Sequence, residues 1–261
     1  MKKRIYDGEI ITNRKIGTDI WRMEIRNPFE GGKVLPGQFV NIYLNRQDLL
    51  LPRPISICRV DGETVTLIYG IVGKGTKALT TYVKGDLIRI SDPLGNGYDI
   101  DVVEKGQTAL LIGGGIGIPP LLQLAHSLIG KGCEVVAVLG FRHEPFLVDD
   151  FKNMGVSVFV ATDSGSEGFH GSGIELIKSK NLAGDAYFAC GPRPMLSSIA
   201  EHCKYAGSDV QVSMEERMGC GYGACVGCVC KVSSDVNMAV ANVKVCTDGP
   251  VFWGSEVVWD E

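Results

Sequence analysis

The stretch Thr108-Ala109-Leu110-Leu111-Ile112-Gly113-Gly114-Gly115-Ile116-Gly117-Ile118-Pro119-Pro120 decides how the chain is read. It opens as a short apolar run, passes through four glycines and ends on two prolines. An apolar run bounded by turn residues reads as a buried strand, and prolines suit the first turn of a helix. Glycines at such a strand-to-helix turn let the backbone come close to a ligand. A second turn, Ala189-Cys190-Gly191-Pro192-Arg193-Pro194-Met195, follows the run Asp185–Ala189.

The same rhythm extends on both sides of the glycine turn. Apolar runs recur at Glu134–Leu139 and Val156–Val160, with helical patterns at Pro120–Leu128 and Pro194–Tyr205. Strands alternating with helices predict βαβ units and a parallel sheet covered on both faces, over residues 101–212. Ligands of such sheets bind at the carboxyl ends of the strands. This places the two turns at one edge and makes Gly113, Gly114, Gly115, Gly117, Cys190, Gly191 and Pro192 candidates for holding a dinucleotide. The run departs from strict G-x-G-x-x-G. Two tight β–α turns without a ligand remain the alternative.

Residues 1–100 read differently. Short β-rich runs at Gln38–Leu44, Thr64–Tyr69 and Asp86–Ile90 are separated by Pro36-Gly37, Asp61-Gly62, Lys84-Gly85-Asp86 and Pro93–Gly97. This spacing predicts an antiparallel domain closed into a barrel. Within it, Leu51-Pro52-Arg53-Pro54-Ile55-Ser56-Ile57 offers a guanidinium for a phosphate and a small hydroxyl. Gly70-Ile71-Val72-Gly73-Lys74-Gly75-Thr76 reads as a glycine-rich turn opening a helix at Lys77, whose free N–H groups suit a pyrophosphate. A lone Arg-Pro is also consistent with a surface turn.

Residues 213–261 are short and rich in glycine and cysteine. Of nine cysteines, five fall in the last 42 residues: Cys220, Cys225, Cys228, Cys230 and Cys246. The order is Cys220-x4-Cys225-x2-Cys228 with Cys246 distant, the plant-type [2Fe–2S] spacing. Glycines at 219, 221, 223 and 227 supply the turns that a loop around a cluster needs. Zinc is the rival, although it favours two C-x2-C pairs and only one is present. Buried free cysteines are a third reading. Cys230, two residues past Cys228 on an expected strand, is taken as a non-ligand. A piece this small is expected to hold together through its metal centre and through packing on a neighbour.

Composition bounds the function. The chain has 261 residues, 45% hydrophobic and 21% charged, with a net charge of -4. That balance gives no electrostatic reason to bind nucleic acid. No run of about 18 apolar residues is present, so a conventional membrane helix is not expected. The start Met1–Ile10 is basic without an apolar stretch behind it, so no signal peptide is expected and the predicted location is cytoplasmic. His126, His143, His170 and His202 show no metal-ligand spacing and are given no catalytic role.

Together Arg53-Pro54-Ile55-Ser56, Gly75-Thr76, Gly113–Gly117, Cys190-Gly191-Pro192, the cysteine loop and Val245-Cys246-Thr247-Asp248-Gly249-Pro250-Val251-Phe252 resemble the ferredoxin–NADP reductase superfamily. Within it they are most similar to the electron-transfer subunit of class 1B dihydroorotate dehydrogenase, and they span nearly the whole chain. The resemblance implies an FAD-binding barrel, an NAD-binding α/β domain and a C-terminal [2Fe–2S] module. It implies that Arg53, Pro54, Ile55 and Ser56 hold the flavin, with Gly70, Ile71, Val72, Gly75 and Thr76 on its diphosphate side. Gly70 stands where the family often has a larger residue. Cys220, Cys225, Cys228 and Cys246 would ligate the cluster. The implied partner is an FMN-containing dihydroorotate dehydrogenase catalytic subunit of pyrimidine biosynthesis, two of each chain forming a heterotetramer. Electrons would pass from that FMN through the cluster and FAD to NAD, with no acid–base residue. Asp163 would disfavour a 2′-phosphate and so favour NAD over NADP. A flavin subunit of a ferredoxin–NADP transhydrogenase, sulfide dehydrogenase or hydrogenase is the closest competitor. There an Asp takes the place of the first cysteine. A metal-stabilised dinucleotide-sensing module is the non-enzymatic alternative.

Overall fold

A computed structural model of the chain describes residues 4–29, 32, 34–233 and 239–259; Met1 to Lys3, at the head of the segment read for a signal peptide, lie outside them. Six strands come first: β1 (Ile5–Gly17), β2 (Ile20–Arg26), β3 (Phe39–Tyr43), β4 (Arg53–Asp61), β5 (Thr64–Gly70) and, after the short helix α1 (Lys74–Leu79), β6 (Leu87–Ser91). They close into an antiparallel barrel in the order β1-β2-β5-β4-β3-β6. The period of two decides which side chains enter. On β6, Ile88 and Ile90 are buried while Leu87 is 64% exposed. On β3, Val40 and Ile42 join the barrel core, whereas Phe39 packs with the carboxyl-terminal segment. Asn13 fastens α1 to the barrel by donating from Nδ2 to the carbonyls of Leu79 and Tyr82, 2.9 Å each.

The chain then alternates: β7 (Thr108–Gly114), α2 (Pro119–Lys131), β8 (Glu134–Phe141), α3 (Val148–Lys152), β9 (Ser157–Thr162), β10 (Phe169–His170), α4 (Gly173–Lys180), β11 (Ala186–Cys190), α5 (Arg193–Tyr205) and β12 (Val210–Ser213). Strands β13 (Val229–Ser233), β14 (Val240–Lys244) and β15 (Val251–Trp253) complete the described chain. The large sheet has the order β10-β9-β8-β7-β11-β12-β15. Its faces are covered by α2 and α3 on one side and by α4 and α5 on the other, through Leu121 and Phe151 and through Ile177 and Ile199. Burial on both faces explains why these strands read as continuous apolar runs.

Three features differ from the sequence reading. The strand before the glycines extends through Gly113 and Gly114, and the turn itself is the tight Gly115–Gly117. Helix α1 starts at Lys74 rather than Lys77, because Thr76 Oγ1 accepts the N–H of Val72 at 2.9 Å and closes the first turn early. The sheet is parallel except at one edge, where β15 runs antiparallel to β12. The carboxyl-terminal segment therefore donates a strand to the sheet as well as packing on it.

Candidate functional site

Strand order reverses between β7 and β11, since the chain runs outward through β8, β9 and β10 and returns to β11 on the other side of β7. Crevices form at the carboxyl ends of strands at such a switch. The glycine turn follows β7 and the Cys190 turn follows β11, with Gly113 in register with Cys190. The two turns press together. A Cβ at Gly117 would stand 2.6 Å from the Cys190 carbonyl, and one at Gly114 would stand 2.6 Å from Met195 Sδ. Glycine is required here by close packing of backbone on backbone. Burial pushes the Cys190 thiol up to about 12, so it stays protonated and is no nucleophile at neutral pH. Tyr98 donates its hydroxyl to the Ala189 carbonyl at 2.9 Å and fixes the end of β11 to the loop after β6.

The second group lies on the barrel. Arg53 opens β4, and its Nη1 donates to the carbonyls of Leu51 and Pro52. Its guanidinium lies against the first turn of α1, where a Cβ at Gly75 would overlap Arg53 Nε. Pro54, Ile55 and Ser56 follow along β4, half-buried and paired with Asn41, Val40 and Phe39 of β3. Leu51 and Val72, which flank the Arg53–Gly75 contact in sequence, are 60% and 89% exposed. Gly70 ends β5, and Ile71 donates its N–H to Asp19 O at 2.9 Å. A Cβ at Gly70 would stand 4.0 Å from Ile116 Cδ1, so the end of β5 faces the glycine turn.

The third group is the cysteine loop. Gly221 and Gly223 take φ of +75° and +85°, which bend the chain around Cys220. Burial raises the Cys220 thiol, but the N–H groups of Cys225, Tyr222 and Ala224 point at its sulfur and bring it down to about 6. Cys225 N stands 3.4 Å from that sulfur. Cys246 is pushed up to about 11, by burial first and then by the Cys228 thiol beside it, while the Gly223 N–H points at its sulfur. The Cys225 thiol acts on Cys220, and the Cys228 and Cys220 thiols both act on Cys246, so the loop brings these four thiols near one another. Among the described residues no three His, Cys, Asp or Glu side chains close around one point as a single ion needs. Cys230 sits two residues past Cys228 on β13, buried and pushed up to about 11 by its burial and by Glu216.

Two asparagines that drew no attention in the sequence join the loop to the barrel. Asn41, fully buried on β3, donates from Nδ2 to the Cys220 carbonyl at 2.8 Å. Asn96, in the loop after β6, donates to Val251 O at 2.8 Å and accepts from Val251 N at 2.9 Å. A polar residue inside the apolar run Phe39-Val40-Asn41-Ile42 was the available signal for the first. Asp163 follows β9 and is exposed, its N–H donated to Phe141 O at 3.0 Å. Three of the four histidines are exposed and His202 is half-buried.

Residues 215–258 match the family described as the iron–sulfur cluster binding domain of dihydroorotate dehydrogenase B. The chain is 42% identical to the dihydroorotate dehydrogenase B (NAD(+)) electron transfer subunit of Fusobacterium nucleatum, covering 97% of this chain and 98% of that one. It is 40% identical to the corresponding subunit of a Geobacillus species, over 95% and 96%. Among solved structures, it superposes with TM-score 0.84 and 30% identity on a chain of the NADH-dependent reduced ferredoxin-NADP oxidoreductase studied for flavin-based electron bifurcation, over 97% and 90%. A ferredoxin NADP+ reductase from Neisseria gonorrhoeae, solved with bound FAD and NADP, shares the fold at TM-score 0.66 and 15% identity, over 78% and 92%. Identity of this order along nearly the full length of both chains means that this protein belongs to the family of dihydroorotate dehydrogenase B (NAD(+)) electron transfer subunits.

Proposed function

We propose that this chain passes electrons between a dihydroorotate dehydrogenase catalytic subunit and NAD, through a [2Fe–2S] cluster and FAD that it holds. The observation that carries the reading is the common attachment of two groups. The cysteine loop hangs on β3, and β3 is the hydrogen-bonded neighbour of β4, which bears Arg53–Ser56.

The donor set fits a cluster. Cys220, Cys225, Cys228 and Cys246 would together hold a [2Fe–2S] cluster, and the N–H groups aimed at the Cys220 sulfur favour its thiolate form. Cys230 stays outside this set. The barrel fits a flavin dinucleotide in the same sense. The Arg53 guanidinium over side-chain-free Gly75 offers a fork to a diphosphate, Thr76, Ile71 and Val72 shape the turn beside it, and Pro54, Ile55 and Ser56 would border the ring. Gly113, Gly114, Gly115, Gly117, Cys190, Gly191 and Pro192 would receive the nicotinamide dinucleotide.

Bound flavin supplies the exchange between two-electron hydride chemistry and single electrons. The chain's own residues then bind, orient and exclude water. Cys190, held protonated by burial, takes no proton in this account. Asp163 at the end of β9 would repel a 2′-phosphate, which favours NAD over NADP. The partner is the FMN-containing catalytic subunit, two of each chain, working in the cytoplasm. No helix among the described residues is long and apolar enough to cross a membrane.

The resemblance to the bifurcating oxidoreductase chain marks the second reading, at 30% identity. Cys220 at the first ligand position and the higher identity to the dihydroorotate subunits favour the first. Anaerobic purification with flavin, iron and acid-labile sulfide analysis tests the cofactor set. Reduction rates with NADH and NADPH test the nucleotide, with faster reduction by NADPH rejecting the Asp163 assignment. Co-purification from the native source tests the partner: recovery with a different flavin enzyme would reject the dihydroorotate assignment.

A further inference from the structure

We infer that Asn41 is a positioning residue for electron transfer between flavin and cluster. The inference rests on the function proposed above and deepens it. Asn41 lies in the middle of β3, where its backbone is paired with Pro54 of β4. Its N–H donates to Ser91 Oγ at 2.9 Å, so the strand is pinned on its other side as well. The side chain points out of the barrel, on the same face as Phe39, which belongs to the buried cluster that also holds Leu94, Cys228 and Cys246. There Nδ2 donates to the carbonyl of Cys220, the first thiol of the loop.

The fit leaves no slack. A Cβ at Gly221 would stand 2.5 Å from Asn41 Nδ2 and 2.7 Å from Oδ1, so the loop backbone rests directly on the amide. Oδ1 has no partner among the described residues, although the side chain is fully buried. An unpaired buried acceptor is costly, and an apolar side chain at this strand position would avoid that cost. The polar residue is therefore explained by what it holds rather than by the stability of β3. One side chain connects the strand beside Arg53–Ser56 to the carbonyl of a cluster thiol. No bond is made or broken at Asn41. Asn41 would hold the Cys220 loop in fixed relation to the strand that bears Arg53–Ser56, and so position the groups each would bind.

The test uses the full chain, purified anaerobically, as parent, Asn41→Leu and Asn41→Ala. Leucine matches the size of the amide without its donor, and alanine adds no bulk against Gly221. NADH is mixed in a stopped-flow instrument, following the flavin band and the cluster band separately, and the reduced cluster is examined by electron paramagnetic resonance. The expected result is flavin reduction as in the parent, cluster reduction slowed about fivefold or more, and a shifted resonance signal with iron content retained. If only the leucine variant loses iron, the alanine variant decides. Cluster reduction and resonance like the parent's in the alanine variant would overturn the inference. So would loss of iron from both variants, which would make Asn41 a residue of folding alone. A parent without flavin or iron would defeat the functional reading first, and this inference with it.

Discussion

The turn after β7 and the cysteine loop are both dense in glycine, yet they lean on it differently: close packing dominates in the turn, whereas the loop needs positive φ as well as space. In the turn, Gly117 and Gly114 are pressed against the backbone and side chains of the neighbouring turn, and a Cβ has nowhere to go. In the loop, Gly221 and Gly223 bend the chain through positive φ so that N–H groups face sulfur. The first site is built by a sheet with a covered core on each face and keeps its shape by packing. The second has little core of its own and depends on what its thiols hold. Packed sites yield to bulk; ligand-held loops yield to loss of a donor.

That contrast can be broken in order of expected effect. Cys228→Ser should abolish the cluster, read as loss of iron and acid-labile sulfide, while NADH still reduces the flavin; retained iron would show that Cys228 is no ligand. Arg53→Ala removes the charged fork and should weaken flavin retention by roughly 10- to 150-fold, measured by flavin release on dilution. Gly117→Val forces bulk into the Cys190 carbonyl and should cost about 1–3 kcal/mol of stability and slow flavin reduction by NADH, with iron content unchanged. Asn96→Ala loses hydrogen bonds to the Cys246 arm worth about 1–2 kcal/mol, lowering Tm by a few degrees.

The effect confined to alkaline pH comes last. Burial pushes the Cys58 and Cys190 thiols up to about 12 from an ordinary 9. A raised folded value means the contribution is complete below pH 9 and is lost as pH rises towards 12. Unfolding midpoints should fall across that window, and Cys58→Ala should flatten the fall. An unchanged pH slope would show that Cys58 ionises equally in both states.

How much of this the sequence carried depended on range. The apolar run Thr108–Ile112 announced its strand because both faces of β7 are buried, and the Cys220-x4-Cys225-x2-Cys228 spacing is local chemistry read without a fold. The long β1 and the two-residue β10 were not singled out. The former alternates polar and apolar side chains around its bulges, and the latter is too short to have a period. Strand β15 was hidden because its partner β12 lies 40 residues earlier, and antiparallel addition at an edge leaves no local mark. Asn41 and Asn96 escaped for the same reason. Each acts on a backbone group more than 150 residues away, and only the folded chain brings them together.

The central claim is that one barrel strand joins a flavin to a cluster on the path to the nicotinamide. Mixing the anaerobic protein with NADH and following both absorption bands tests it most directly. The account predicts bleaching of the flavin first and of the cluster after it, at a rate independent of protein concentration. A cluster that stays oxidised once the flavin is fully reduced would contradict it.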